Sequence, residues 1–325
     1  MSHKEDFFAL SPEAILDAVE KVLQREEPDL RATGRALALN SLENRVYDVE
    51  LEDDSHVVTK FYRPGRWARE QILEEHGFLF ALDEAEIPVV SPLEIEGESL
   101  FENEEGIFFA LFPKVRGRLM DELDEERLRT LGRYIGRIHN VGERYPFRHR
   151  LTLSAEKWAR EPMEYLLHSP LLPPEYHARY QALGAALADR IENGLRGQKM
   201  ISLHGDCHLG NALWQQDSPF FLDFDDCMTA PPVQDIWMVV RGRGEDADKD
   251  RNILLEGYEA FRPFPRETLR LIEPLRALRM MHYSAWIAKR WDDPSFARAF
   301  PSFGTARYWE EEMQAMQEIL ALMEY

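Results

Sequence analysis

Residues 200–232 constrain this chain more than any other stretch, because they break a long helical pattern with a compact island of strand and loop. The island opens with Ile201-Ser202-Leu203-His204-Gly205-Asp206-Cys207-His208-Leu209-Gly210-Asn211 and continues to Phe220-Phe221-Leu222-Asp223-Phe224-Asp225-Asp226. Gly205 and Gly210 oppose a helix through the first part. The apolar runs ahead of Asp206 and Asp223 read as short strands that deliver those carboxylates at their ends.

To either side the patterning is regular. Ser11-Pro12-Glu13 is a helix start, and Ile15, Val19 and Val22 form an apolar stripe to about Gln24. Tyr47, Val49 and Leu51 alternate with Asp48, Glu50 and Glu52, Asp53-Asp54 makes a turn, and His56 to Tyr62 is a second strand. Arg63-Pro64-Gly65 interrupts before a helix from about Trp67 to Leu82, which the extended, proline-containing segment 86–92 ends. Further strands are expected near Ser99–Asn103 and Ile107–Phe112. Beyond Pro113 helical spacing takes over, from Leu128 to His139 and around Tyr176–Asn193, Arg251–Phe261, Thr268–Ile287 and Thr305–Met323. The expected fold is α+β and bilobal, with a small antiparallel-sheet lobe over residues 1–112 and a large helical lobe over 113–325. A short hinge near Phe112–Lys114 joins them, since no Gly/Ser linker intervenes.

Composition bounds the function. With 325 residues, 44% hydrophobic and 11% aromatic, the chain can fill two packed lobes. Its formal net charge of −20 repels phosphate backbones, so neither nucleic acid nor an anionic membrane surface is expected as a partner. No stretch approaches the roughly 18 apolar residues needed to span a bilayer, and the N-terminal residues lack the apolar core of a secretory signal. Cys207 and Cys227 are the two cysteines, which excludes a disulfide framework and a paired CxxC zinc site. A monomer in a reducing, cytoplasmic setting is expected.

The island carries the chemistry. Phosphoryl transfer from ATP needs one carboxylate to orient the acceptor hydroxyl and take its proton, oxygen ligands to hold Mg²⁺ on the phosphates, and a lysine to neutralise phosphate charge. Protein kinases place the base and an Mg²⁺-binding Asn in one loop, five positions apart. Asp206 and Asn211 have that spacing. Asp223 closes the next apolar strand as the second Mg²⁺ ligand beside the reacting phosphates, with Asp225 as a further candidate. Mg²⁺ keeps several waters, so one Asn and one Asp suffice.

The H-G-D-x-H-x-x-N loop with its D-x-D strand resembles the aminoglycoside phosphotransferase and choline kinase branch of the protein-kinase-like superfamily. Longer strings resemble the bacterial stress response kinase A family. They are Leu39-Asn40-Ser41 with Glu43-Asn44-Arg45-Val46-Tyr47, Lys60-Phe61-Tyr62-Arg63-Pro64, Gln71-Ile72-Leu73-Glu74-Glu75-His76, Gln234-Asp235-Ile236-Trp237-Met238 and Ile272-Glu273-Pro274-Leu275-Arg276-Ala277. The resemblance spans nearly the whole chain. It implies a protein-kinase-like fold and an ATP- and Mg²⁺-dependent Ser/Thr protein kinase. Asp206 would be the proton acceptor, Asn211 and Asp223 the Mg²⁺ ligands, and Ser41 a nucleotide contact.

The residues supply the remaining partners. Lys60 lies in a β-rich run, where a kinase lysine reaches the α- and β-phosphates, and it needs an acid on the next helix. At about 100° per residue Glu75 shares an arc with Ile72, Leu79 and Leu82 while Glu74 points away, so Glu75 is the expected partner. No G-x-G-x-x-G precedes Lys60. Backbone N–H groups with Ser41 and Asn44 would meet the phosphates instead, and adenine would dock on backbone groups near Leu111–Lys114. No A-P-E follows Asp223-Phe224-Asp225, so a usual activation loop is not expected. Asp235 either accepts backbone N–H groups of the Asp206 loop or caps a helix.

Other readings are weaker. His204 and His208 are four apart, but Gly205 and Gly210 oppose the helix that would let them share a metal, so His204 is expected to brace the loop and His208 to lie near the phosphates or Asp223. Cys207 is expected as a buried small hydrophobe. A metallophosphoesterase would need ligands on several separate loops. A binding module without catalysis would be expected to lack Asp206, Asn211, Asp223 or Lys60. A small-molecule alcohol remains the alternative acceptor to a protein Ser/Thr hydroxyl. Tyr283, Trp286 and Trp291 have spacing that suits core packing more than an acceptor pocket. Arg241, Arg243, Arg276 and Arg279 meet either acidic groups of a ligand or acids of neighbouring helices.

Overall fold

The computed structural model describes Phe7 and residues 10–323. Ser11 caps helix α1 (Pro12–Leu23) by accepting the Ala14 N–H, and Ile15, Val19 and Val22 turn inward. They pack on a twisted antiparallel sheet of five strands in the order β1-β2-β3-β5-β4. The strands are β1 (Ala32–Ala38), β2 (Arg45–Leu51), β3 (His56–Phe61), β4 (Phe101–Glu102) and β5 (Phe108–Pro113). Strand β1 was not legible from its sequence: Ala32–Ala38 holds one large apolar residue, Leu37, and that residue is exposed. The strand expected over Ser99–Asn103 shrinks to two residues. In the register of the sheet Lys60 sits between Val46 on β2 and Ala110 on β5.

Helix α2 (Arg69–Glu84) buries Ile72, Glu75, Phe78, Leu79 and Leu82, and Phe78 joins the larger core cluster in the helical part of the chain. That part comprises α3 (Glu125–Arg144), α4 (Glu161–Leu167), α5 (Pro174–Leu195), α6 (Val233–Val239), α7 (Glu245–Glu259), α8 (Ile272–Ala288), α9 (Pro294–Ala299) and α10 (Ala306–Leu322). The helical run expected over Thr268–Ile287 divides into a 3-10 segment, Arg266–Leu271, and α8. Among the described residues no helix is long and apolar enough to cross a membrane.

The α3–α7 contact is unusually close. A Cβ on Gly132 would run into the Leu254 carbonyl, and one on Gly257 into the Arg129 carbonyl. With backbones touching, His139 on α3 reaches the Tyr258 hydroxyl on α7 at 3.0 Å and Asp235 on α6 at 3.1 Å. The island 200–232 lies against this frame as strand β6 (Ile201–Leu203), hairpin β7 (Ala212–Gln215) with β8 (Ser218–Phe221), and β9 (Met228–Ala230), which pairs with β6.

Candidate active site

Strand β6 delivers His204 and Gly205 into a sharp turn. Gly205 has φ 84°, and an added Cβ would strike the Asp226 carbonyl, so this position requires glycine. Asp235 is 1% exposed and fixes the turn, its carboxylate accepting the His204 N–H at 3.1 Å and the Gly205 N–H at 2.9 Å. Helix α6 begins at Val233 with Pro232 as its cap, so Asp235 holds the loop and does not cap the helix. Gln234 adds a bond from its side-chain amide to the Gly205 carbonyl at 2.8 Å. His204 braces the loop from within, with its ring on the Leu222 carbonyl at 2.9 Å and packed at a tilt against Phe224.

The carboxylate of Asp206 lies beyond this turn, at the cleft. Its Oδ1 meets Arg279 Nη1 at 2.6 Å, and its Oδ2 lies 3.5 Å from His208 Nε2. His208 therefore stands at Asp206 and not at Asp223, because the turn at Gly205 carries it to the α8 side of the loop. Cys207 is buried and burial raises its thiol well above the ordinary range, so it packs as a small apolar group.

Asn211 ends the loop. Its Nδ2 donates to the Asp206 carbonyl at 3.0 Å, which leaves Oδ1 as the atom offered to a cation. Its own carbonyl accepts the Leu222 N–H at 2.9 Å, and this places Asp223 beside it. Asp223 is left-handed (φ 55°, ψ 66°), a turn that aims its carboxylate, 58% exposed, into the cleft. A hard cation needs such oxygen donors. Among the described residues no three Asp, Glu, His or Cys side chains form a closed metal cage. An open pair that leaves positions to water and phosphate fits Mg²⁺ better than it fits a structural metal.

Lys60 completes the cleft from the sheet. Its Nζ lies 3.5 Å from Glu75, 3.4 Å from Asp223 and 3.0 Å from Asp225. Burial works against the ammonium, but Asp225 and Glu75 outweigh it and hold its pKa well above the ordinary value. Burial likewise pushes the Glu75 carboxyl up, against the pull of Lys60 and Arg150. Asp225 is also buried, yet Arg66 at 2.8 Å and Lys60 hold it ionised and well below the usual carboxylate range. Asp225 is thereby engaged by two cations. Glu74 faces elsewhere and accepts the backbone N–H groups of Arg148, His149 and Arg150 at 2.6–2.8 Å.

Sequence reasoning missed Arg66, Arg150 and Glu43. Arg66 follows Pro64-Gly65 and Arg150 lies between elements, so no periodicity places either. Glu43 belongs to the β1–β2 loop, where Ser41 Oγ accepts the Asn44 N–H at 3.3 Å. The Glu43 carboxylate gathers Arg63 at 3.2 Å, Arg66 at 3.3 Å, Arg290 at 2.7 Å and the Trp286 indole N–H at 2.5 Å. It ties the loop over the cleft to the helical part. Tyr283 and Trp286, expected in the core, line the cleft; the core side of their helix is Ser284, Ala285 and Ile287. Arg243 and Arg276 pair with Glu273, as acids of a neighbouring position would suggest, but Arg279 does not. Ser41, Lys60, Glu75, Asp206, Asn211 and Asp223 all line a single cavity of about 720 Å³.

Against known proteins, the model of the phosphotransferase enzyme family matches residues 35–272. Stress response kinase A of Escherichia coli (strain K12) is 38% identical over 304 residues, covering 93% of this chain and 90% of that protein. A protein of Salmonella typhimurium (strain LT2) named serine/threonine protein kinase RdoA is 36% identical over 307 residues, covering 94% of this chain and 91% of its own. Among solved structures, an amicoumacin kinase in complex with AMP-PNP and Ca²⁺ superposes with TM-score 0.71 at 18% identity over 96% of both chains. A microcompartment-associated aminopropanol kinase gives TM-score 0.64 at 18% identity, over 94% of this chain and 95% of its own. These two share the bilobal α+β fold.

Proposed function

The chain belongs to the phosphotransferase enzyme family and is a kinase of the stress response kinase A type, and from that premise we propose that it transfers the γ-phosphoryl group of ATP, with Mg²⁺, to Ser or Thr hydroxyls of protein. The observation that carries the reading is the convergence of Asp206, Asn211, Asp223 and the Lys60–Glu75 pair on one cavity. Asp206 orients the acceptor hydroxyl and takes its proton. Lys60 binds the α- and β-phosphates, and Glu75 holds Lys60. Asn211 and Asp223 would hold Mg²⁺, which when bound neutralises charge on the phosphates being parted. Ser41 and the backbone of its loop cover the nucleotide.

We divide the lobes at residue 112, next to Pro113, the last residue of β5. Phe112 and Pro113 line the cavity, and the Leu111 carbonyl already accepts the Leu93 N–H at 2.7 Å, so adenine is expected on Phe112–Lys114. We read the chain as a monomer of the cytoplasm, where its two free, buried cysteines would stay reduced.

A small-molecule alcohol is the second reading. It is supported by the fold shared with an aminopropanol kinase and by a chain that passes from Asp223 to α6 through one 3-10 turn and β9, with no room for a long peptide-binding activation segment. The test is transfer from γ-³²P-ATP by wild type and Asp206→Asn to a generic Ser/Thr protein and to a panel of amino alcohols and aminoglycosides. Asp206-dependent label on protein Ser or Thr is expected. Label on a small molecule alone replaces the acceptor, and transfer by Asp206→Asn at the wild-type rate refutes its role.

A further inference from the structure

Helix α8 builds the wall of the cleft that faces Asp206. Arg276, Arg279, Tyr283 and Trp286 fall at i, i+3, i+7 and i+10 on one stripe, of which Arg279, Tyr283 and Trp286 line the cleft over about 10 Å. Tyr283 and Trp286 stack at 5.4 Å and form an aromatic shelf at one end. The other end is cationic. Arg279 Nη1 sits on Asp206 Oδ1 at 2.6 Å. Arg241 bonds the Met238 carbonyl at 3.2 Å, and among the described residues no carboxylate pairs with it. Arg279 and Arg276 act on Arg241 as like charges and Asp206 as an opposite one, so the three arginines share a neighbourhood. Arg243 and Arg276 share Glu273. Three of these arginines thus meet two carboxylates, Asp206 and Glu273, and Arg241 meets none, in a chain whose formal net charge is −20.

This excess has a use at the moment of reaction. Asp206 Oδ2, with His208 Nε2 standing off at 3.5 Å, is the oxygen open to a hydroxyl, while Oδ1 holds the Arg279 guanidinium beside that position with further N–H donors to offer an anion. We propose that the acceptor carries a carboxylate or phosphate close to its reacting hydroxyl, and that Arg279 and Arg241 select it by binding that anion. The proposal rests on the kinase reading and names its acceptor class. The arriving anion shares Arg279 with Asp206. The hydroxyl oxygen then bonds the γ-phosphorus, the bond from that phosphorus to ADP breaks, and the proton passes to Asp206. Cationic amino alcohols meet the same arginines as like charges. The cleft-lining span of about 10 Å matches about three residues of extended peptide at about 3.3 Å each, which makes an acidic Ser/Thr peptide the first source to try.

The experiment measures transfer from γ-³²P-ATP by the full chain to two panels. One holds peptides with a single Ser or Thr flanked by Asp/Glu, by Gln or by Lys/Arg. The other holds small alcohols bearing a carboxylate or phosphate, no charge, or an ammonium. The anionic members of one panel are expected to exceed its cationic members in kcat/KM by at least about tenfold, and the responding panel identifies the source. Arg279→Gln and Arg241→Gln, checked by thermal melting for folding, should lower kcat/KM for that acceptor by about 10–100-fold, chiefly through KM. The ratio of anionic to uncharged acceptor should fall towards one, and Arg279→Lys should restore part of it. Asp206-dependent transfer without an anionic preference overturns the proposal and leaves the kinase reading intact. Equal loss on every acceptor in Arg279→Gln also overturns it, since Arg279 then only positions Asp206. No Asp206-dependent transfer to any acceptor overturns both.

Discussion

Replacing Asp235 by Asn exchanges one carboxylate oxygen for an amide nitrogen and leaves the shape of the side chain almost unchanged. The carboxylate accepts three bonds, from His204 N, Gly205 N and His139 Nε2, at 2.9–3.1 Å and in a site 1% exposed. Whichever way the amide turns, its NH₂ faces a backbone N–H. If it replaces Oδ1 the Gly205 N–H is orphaned; if it replaces Oδ2 the His204 N–H is orphaned, though His139 adapts by changing tautomer. One charge-assisted bond of about 1.5–3 kcal/mol is lost and the others weaken to neutral strength, partly offset by removal of a buried charge. The net cost is about 3 kcal/mol, or roughly 6 °C in Tm at about 2 °C per kcal/mol. The turn at Gly205 carries Asp206, so kcat should fall by about 10²-fold, the scale of a 1 Å misplacement, with the KM for ATP little changed. Thermal unfolding and steady-state transfer measured on one preparation test both. An Asp235→Asn protein with wild-type Tm and kcat within twofold would show that the loop is held by something else.

Three further outcomes follow from buried groups. His76, hydrogen-bonded to Tyr62 and Ser99 at 2.8 and 2.9 Å, has its pKa lowered to about 3, first by burial and then by Lys60 and Arg150. The unfolded chain therefore binds a proton near pH 6.5 that the folded one refuses, and stability present above that pH is lost as pH falls towards 3. Between pH 7 and 5 the loss is about 2 kcal/mol, and denaturant titrations should find it missing in His76→Gln. Lys60→Met should weaken ATP binding by at least about tenfold in calorimetry and lower Tm as well, because it strands Glu75 and Asp225 in the interior; unchanged affinity would remove Lys60 from the nucleotide site. Gly132→Leu must push α7 away from α3, and a stability loss of more than about 3 kcal/mol is expected; a variant as stable as wild type would contradict the backbone contact.

Much of this was legible because it is local. The spacing of Asp206 and Asn211, the strand ending at Asp223 and the arc that separates Glu75 from Glu74 are properties of short segments, and periodicity reads those. What escaped was tertiary. Strand β1 has almost no apolar pattern because its sheet partner β2 and helix α1, not its own side chains, hold it in place. Arg66, Arg150 and Glu43 lie in irregular connections, where no repeat says which way a side chain points. Tyr283 and Trp286 misled for the opposite reason: helical spacing identifies a face but not whether that face meets protein or an open cleft. The arginines divided along the same line, since Glu273, which meets Arg243 and Arg276, is on α8 while Asp206, which meets Arg279, is in the loop after β6.

The contact of α3 with α7 has a consequence beyond stability. His139 projects from one helix of that pair to Tyr258 on the other and, on its second nitrogen, to Asp235, which in turn holds the Asp206 turn. The height of the reacting carboxylate is thus referenced to a backbone-to-backbone distance set at Gly132 and Gly257, where no rotatable side chain can introduce play. The acceptor wall, by contrast, is written on the outward side chains of α8. Datum and reading surface are separate parts, so the wall can be re-cut for a different hydroxyl compound while the datum stays where it is.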